Sequence, residues 1–203
     1  AMFDQQAAQL LLSCLRACAA WRQPSQALTA YDHVASQLGA CRLCPATWSL
    51  LLYMAAAAGQ FDRCEGFFVR ICQLGQPSGH DFLNMVRFFV QGGDLVGFQR
   101  MLTELRDRGC KVDGLSWNRA LAACAKARAP DLAEALAAAP ELRAAAMDAV
   151  AYNTLMRCRL RAGRPECCFE LYTQMKAAGV APSKVTFGVL LDACHEARGG
   201  GRA

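Results

Sequence analysis

Hydrophobic residues recur at intervals of three and four along several segments of the chain, a spacing that predicts amphipathic helices. In the segment 94–109 the positions on one helical face are Leu95, Phe98, Met101, Leu102 and Leu105. The segment 170–179 repeats the pattern with Leu171, Tyr172 and Met175. A single helical hairpin cannot bury such a face, so we expect neighbouring hairpins to stack against one another.

Aromatic side chains mark a repeat of 35 residues, with one interval of 34. They stand at Trp48, Phe82, Trp117, Tyr152 and Phe187. A fixed period of this length is the signature of a helical repeat array. It predicts repeats 1 to 5 over residues 8–44, 45–78, 79–113, 114–148 and 149–183, and the first helix of repeat 6 over 184–198. The chain 1–203 is then one array, an all-α right-handed solenoid of helix-turn-helix repeats.

Turn and capping residues keep the same step as the aromatics. Glycines follow three of the aromatics by 11 residues, at the turn within a hairpin, and Arg128 takes that place in repeat 4. These glycines are Gly59, Gly93 and Gly163. Short polar residues four before an aromatic are expected to cap the first helices, and aspartates near the inner turns to cap the second helices. The first set is Asp113, Asp148 and Ser183, and the second is Asp62, Asp94 and Asp131. In repeat 4 we expect Pro140 to interrupt the second helix.

Composition narrows the functional class only slightly. Hydrophobic residues make up 54% of the chain and charged ones 19%, which excludes a disordered protein. The net charge of +5 permits nucleic-acid binding without requiring it. No targeting segment is visible, and the apolar run 48–58 is too short to cross a bilayer, so we expect no membrane partner.

Twelve cysteines raise the question of a metal or a disulfide scaffold. Cys41 and Cys44 form a CxxC, but no second CxxC or spaced histidine pair completes a four-ligand zinc site. Most other cysteines follow the repeat and are expected to be small packing residues between helices. They are Cys18, Cys64, Cys124, Cys168 and Cys194. No motif for catalysis is present, so we expect no metal, no cofactor and no enzymatic activity.

Repeat 5 reads Ala-Val-Ala-Tyr-Asn-Thr-Leu-Met, then Arg-Ala-Gly-Arg, then Glu-Leu-Tyr-Thr-Gln-Met-Lys-Ala-Ala-Gly-Val-Ala-Pro-Ser, and Lys-Val-Thr-Phe opens repeat 6. This resembles the pentatricopeptide repeat (PPR) family. The rival tetratricopeptide pattern places a small residue four after the aromatic. Here those positions are Leu52, Val86, Leu121, Met156 and Leu191.

The PPR resemblance implies a concave face of first helices on which each repeat holds about one base of single-stranded RNA. The base-reading residues are the one after the aromatic and the last of the repeat. Asn118 with Asp148 would favour uracil, and Asn153 with Ser183 a pyrimidine, cytosine foremost. Ser49 with Ser78 is a further pair without a clear reading.

The resemblance also assigns supporting roles. Leu115, Val150 and Val185 would clamp the bases, and Lys126 and Arg161 would neutralise phosphate charge. Two repeats depart from the pattern. Repeat 3 has Leu83 and repeat 6 has Gly188 at the reading position, and neither offers a side-chain hydrogen bond.

The expected function is sequence-selective binding of single-stranded RNA in organellar RNA metabolism, namely stabilisation, processing, editing or translation in a mitochondrion or plastid. Other proteins, reached through the concave face or through further domains, stay open as partners. The alternatives are a tetratricopeptide-like scaffold that holds a peptide in the groove, and a ribonucleoprotein component that contacts both RNA and protein.

Overall fold

The computed structural model describes residues 2–38, 43–145 and 147–199. The described chain is helical apart from turns and one isolated β-bridge, so the all-α expectation is confirmed. The helices are α1 (Met2–Ala20), α2 (Pro24–Leu38), α3 (Pro45–Ala58), α4 (Phe61–Leu74), α5 (Gly79–Gly92), α6 (Leu95–Asp107), α7 (Gly114–Lys126), α8 (Pro130–Ala137), α9 (Ala149–Arg161), α10 (Glu166–Ala177) and α11 (Lys184–Gly199).

The first helices of repeats 2 to 6 begin at residues 45, 79, 114, 149 and 184, where the aromatic spacing places the repeat boundaries. Asp113 and Asp148 cap α7 and α9 by accepting the N–H groups of Ser116 and Ala151. The Ser116 backbone bond also lowers the pKa of Asp113. The Ser183 hydroxyl accepts the N–H of Thr186 at the start of α11. The three predicted first-helix caps are therefore confirmed.

Capping of the second helices follows the prediction at one position only. Asp94 caps α6 by accepting from the Gly97 N–H, as expected. The prediction is wrong for Asp62 and Asp131, because α4 and α8 start after Gln60 and Ala129 and each aspartate already lies within the first helical turn. There an acidic side chain still interacts favourably with the positive end of the helix dipole.

The turns inside the hairpins require a left-handed backbone. Gly59, Gly93 and Gly163 have φ angles of 71°, 65° and 71°. Arg128 takes the same conformation in repeat 4, with φ of 56°, although a side chain disfavours it. The left-handed turn therefore recurs in each of these repeats, and in repeat 4 it forms with arginine in place of glycine.

Repeat 4 has the shortest second helix, and Pro140 accounts for this. Helix α8 ends at Ala137, and a short 3₁₀ turn covers Pro140–Leu142. The segment that follows pairs with the end of repeat 3, where the N–H of Val112 donates to Leu142 and the N–H of Ala144 donates to Val112. An isolated β-bridge thus replaces the missing helical turns.

The chain forms two compact bodies, residues 1–88 and 89–203. In the first body α1 packs on α2 and α3, α2 packs on α3, and α3 packs on α4. Its aromatic core joins Tyr31, Trp48 and Phe67, with ring centroids 5.5 to 5.9 Å apart. Trp48 therefore has one aromatic neighbour from the preceding hairpin and one from its own.

In the second body the first helices stack directly, α7 on α9 and α9 on α11, and α10 packs against both α9 and α11. Trp117 and Tyr152 are buried in this stack. Phe187 occupies the same register position on α11 but is half exposed, with its ring 6.4 Å from that of Tyr172 on the preceding helix. No described helix follows α11 to cover its other side.

The cysteines mostly occupy packing positions. Six of those described are buried, namely Cys64, Cys72, Cys110, Cys124, Cys158 and Cys168. Cys18 is half-buried and Cys194 is exposed. The packing prediction is wrong for Cys194, because its face of α11 is not covered by any described helix. Cys41 of the CxxC lies outside the described residues. Residues 2–38, 43–145 and 147–199 contain no group of three potential metal ligands.

Thiol labelling should separate the two classes of cysteine. Burial raises the pKa of Cys124 to about 12 and that of Cys158 to about 11, so almost no thiolate forms at pH 8. We expect a disulfide reagent to label exposed Cys14, Cys44 and Cys194 in the native protein, and Cys124 and Cys158 only after denaturation. Peptide mass spectrometry reads the labelled sites. Fast native labelling of Cys124 would contradict the packing role.

Candidate nucleic-acid interface

Asn118 and Asp148 meet although they lie 30 residues apart. Asn118 is in the second turn of α7, and its Nδ2 donates to Asp148 Oδ2 at 2.9 Å. The other carboxylate oxygen, Oδ1, accepts the N–H of Ala151 at 2.8 Å and caps α9. One carboxylate thus holds the helix start and orients the amide. The remaining N–H and the carbonyl oxygen of Asn118 are left to address a ligand.

Asn153 repeats this arrangement one step later but is more enclosed. Its Nδ2 lies 3.4 Å from the Ser183 hydroxyl oxygen, and the Ser183 N–H donates to the Thr186 hydroxyl. Asn153 is only 8% exposed, and its buried Oδ1 has no partner among the described residues. An unpaired buried carbonyl is costly, so an incoming N–H donor would stabilise it.

The three predicted base clamps are exposed apolar side chains in the second position of consecutive first helices. Leu115, Val150 and Val185 are 62%, 59% and 46% exposed. Helices α7, α9 and α11, which carry them, pack side by side. Side chains of this type usually pack inward, and here the same register position points to solvent three times.

Ser49 and Ser78 are joined through Asp81, a residue that the sequence pattern alone did not single out. Both hydroxyls donate to Oδ2 of Asp81, at 3.0 Å from Ser49 and 2.7 Å from Ser78. The Ser78 N–H donates to the same oxygen, and the Asp81 N–H donates back to the Ser78 hydroxyl. The Ser-x-x-Asp spacing of this reciprocal pair resembles a capping box and was the available signal.

The predicted phosphate ligands Lys126 and Arg161 are both exposed, in the last turns of α7 and α9. Arg161 also donates to the carbonyl of Ala125 at 2.9 Å, which ties α9 to α7. On α11 the register equivalent of Arg161 is Glu196, so this register position carries no positive charge in repeat 6.

The two departures from the reading pattern have different structural outcomes. Leu83 is buried and belongs to the core of the first body. Gly188 is exposed on α11 and presents only backbone. Neither position supplies a polar side chain, as the sequence indicates.

Comparison with known proteins connects this geometry to a family. Residues 147–196, which hold Asn153, Ser183 and two of the clamps, match the PPR repeat family. Residues 147–196 carry the PPR sequence pattern. The resemblance drawn from repeats 5 and 6 is therefore confirmed, and a tetratricopeptide assignment is not supported.

Solved structures share the fold of this chain over most of its length. Nuclear proteinaceous RNase P 2 from A. thaliana is 17% identical over 91% of this chain and 41% of its own, with a TM-score of 0.67. PPR10 from maize is 22% identical over 91% of this chain and 26% of its own, at 0.59. The PPR domain of Arabidopsis thaliana protein-only RNase P 1, solved with tRNA, is 18% identical over 93% and 99%, at 0.65. These likenesses show that the fold is a helical-repeat solenoid.

The chain spans less than half of the length of RNase P 2 and about a quarter of PPR10. No curated protein matches its sequence. Among the described residues, no helix has both the length and the apolar character needed to cross a membrane.

Proposed function

We propose that this PPR chain is a sequence-selective, single-stranded RNA-binding module that catalyses no reaction by itself. The observation that carries the proposal is Asn118, an amide in the second turn of α7 that is oriented by Asp148, together with exposed Leu115 and Val150 at the starts of α7 and α9. A planar base can lie between the apolar side chains while its edge meets the amide. Solved relatives support the ligand class, since PPR10 has been solved with an 18-nt psaJ RNA element.

The expected base preference follows from the amide atoms of Asn118 and Asn153 that are not hydrogen-bonded within the described part of the chain. Asn118 keeps one N–H donor and one carbonyl acceptor, a pair that matches the O4 acceptor and the N3–H donor of uracil. The carbonyl oxygen of Asn153 is buried and unpaired among the described residues, so this side chain must turn outward before a donor on the base can bond to it. Lys126 and Arg161 add charge beside the same helices and make binding depend on salt.

Fluorescence anisotropy tests this function directly. Labelled pyrimidine-rich single-stranded RNA is compared with matched DNA, duplex RNA and a folded tRNA at two salt concentrations. We expect the single strand to bind best and to weaken as salt rises. The Asn118→Ala/Asn153→Ala variant should lose base preference and about tenfold in affinity. The matched control, Gln99→Ala/Gln174→Ala, removes two exposed amides from second helices and should bind like the wild type.

Two other results of this experiment would change the proposed ligand. Preference for tRNA over every single strand would replace single-strand reading with recognition of a folded RNA, the ligand class solved with the RNase P 1 domain. Failure of a well-folded sample to bind any nucleic acid would overturn the proposal in favour of a protein-binding scaffold.

We also propose that the protein acts in a mitochondrion or plastid, by stabilising, processing, editing or helping to translate a transcript. The family resemblance is the support. The fold alone does not set the compartment, because a structurally similar RNase P is nuclear. Imaging of the tagged full-length protein tests this placement, and a purely nuclear signal would overturn it.

A further inference from the structure

We propose that repeat 2 reads guanine, and that Asp81 sets this preference by holding the hydroxyl protons of Ser49 and Ser78. The proposal rests on the RNA-binding function above and names the base for a pair whose residue types alone have no clear reading. Asp81 lies outside the two base-reading positions of a repeat, which are the residue after the aromatic and the last residue of the repeat.

The geometry is a three-residue cluster within the first body. Asp81 is 2% exposed, and its Oδ2 accepts from the Ser49 hydroxyl, the Ser78 hydroxyl and the Ser78 N–H at 3.0, 2.7 and 2.9 Å. Because both hydroxyl oxygens bond to one carboxylate oxygen, they lie close together. Ser49 is half-buried and Ser78 is exposed, so the cluster opens to solvent through the serines and not through the carboxylate.

The hydrogen-bonding capacity of the cluster follows from counting protons. An ionised carboxylate only accepts, so each serine must spend its single O–H proton on Asp81. Ser78 also accepts the Asp81 N–H, which leaves one lone pair on its oxygen. The Ser49 hydroxyl accepts no hydrogen bond among the described residues, so both of its lone pairs are available. The two serine hydroxyls of this cluster therefore present two neighbouring acceptors and no donor.

Guanine complements such a surface better than the other bases. Its Watson–Crick edge carries adjacent donors, the ring N1–H and the exocyclic N2 amine. Uracil has one ring N–H between two acceptors, and adenine and cytosine each have one amine beside an acceptor nitrogen. For these three bases, an acceptor of the protein would face an acceptor of the base, which leaves polar groups unpaired and costs affinity.

Repeats 4 and 5 are expected to prefer other bases because their side chains carry a different set of hydrogen-bond donors and acceptors. Asn118 and Asn153 are amides and carry a donor and an acceptor together, which suits pyrimidines. Serine is ambivalent by itself, because its hydroxyl rotates to donate or accept. In repeat 2 the buried carboxylate removes that ambivalence.

The test must separate reading from folding, because Asp81 and Ser78 also cap the start of α5. Ser49→Ala removes one acceptor from α3 and leaves that cap intact. Asp81→Asn keeps an oxygen to accept the Ser78 N–H but introduces donors that reorient the hydroxyls. Ser13→Ala is the matched control, since Ser13 is exposed and bonds only to the Gln9 carbonyl of its own helix.

Anisotropy competition is run with short oligouridines in which a single guanine is moved along the strand. At the best position, guanine is replaced by adenine, cytosine or inosine, which lacks the N2 amine. We expect wild type and Ser13→Ala to prefer guanine about tenfold over adenine, with inosine intermediate. Ser49→Ala and Asp81→Asn should lose most of this preference while still binding oligouridine. Thermal melting confirms that each variant is folded.

The outcomes distinguish the two proposals. If the wild type binds no single strand, the RNA-binding function fails. If it binds oligouridine but prefers guanine at no position, the inference fails and the function stands. A guanine preference that survives unchanged in Ser49→Ala would also overturn the inference, because the reading would then lie elsewhere.

Discussion

Replacing Leu115 and Val150 together with aspartate is expected to weaken RNA binding at least about hundredfold. Burying a leucine or valine side chain against a base contributes about 1.5–3 kcal/mol, and 1.4 kcal/mol is a factor of ten. Two lost clamps therefore account for about a hundredfold before charge is considered. The new carboxylates would also repel the phosphates. Both residues are exposed, so the fold should persist.

The control for this variant has the same chemistry elsewhere. Val69 and Val96 are exposed on α4 and α6, and Val69→Asp/Val96→Asp changes the net charge by the same amount. Anisotropy titration at a fixed salt concentration should show a change of only a few-fold for the control. Equal losses in both variants would mean that net charge, and not the clamp positions, governs binding.

Trp117→Ala should cause the largest loss of stability of the changes considered. Trp117 is 2% exposed in the core of the second body, with the Arg143 guanidinium 5.9 Å from its ring. Removing a buried aromatic side chain costs about 3–5 kcal/mol through lost burial and the cavity that remains. That amount is a large share of the stability of an ordinary domain.

Phe187→Ala is the matched comparison because it changes the same register position on α11. Phe187 is 51% exposed and should contribute about 1 kcal/mol or less. Urea unfolding followed by circular dichroism measures both variants, and the slope of each transition shows whether the array unfolds as one unit. Equal losses in the two variants would contradict the burial argument.

The helix starts could be predicted because their signals are local. Asp113, Asp148 and Ser183 have the short polar side chains that accept backbone N–H groups, and each caps the helix that follows. Asp62 and Asp131 have the same chemistry, but a different residue precedes the helix in each case. The exact first residue depends on how the turn is packed, and composition does not record that.

The cysteines show the limit of a repeat-based argument. Cys124 and Cys194 share a register position, yet Cys124 is buried and Cys194 is exposed. Register determines which face of a helix carries a side chain. Burial depends on whether a neighbouring helix covers that face, and α11 has no described neighbour on its outer side.

The features of the candidate site likewise divide into those that the sequence predicted and those that it did not. The pairs Asn118–Asp148 and Asn153–Ser183 could be proposed from spacing and family resemblance, and the structure brings each pair together. The Ser78-x-x-Asp81 spacing was a local signal for that pair, but the different exposure of the two asparagines and the bond from Ser49 to Asp81 could not be proposed. These depend on contacts between residues about 30 positions apart.

By itself, the sequence determined the period, the helical class and the turns that need a left-handed residue. These follow from backbone chemistry and helical periodicity, which act over a few residues. The candidate reader and clamp positions came from the resemblance to the PPR family. Only the tertiary structure decided which recurring positions are buried, which hydroxyl protons are already committed and which amide is open to a ligand. Those properties arise where consecutive hairpins meet, because burial and hydrogen-bond satisfaction are set by the neighbouring repeat.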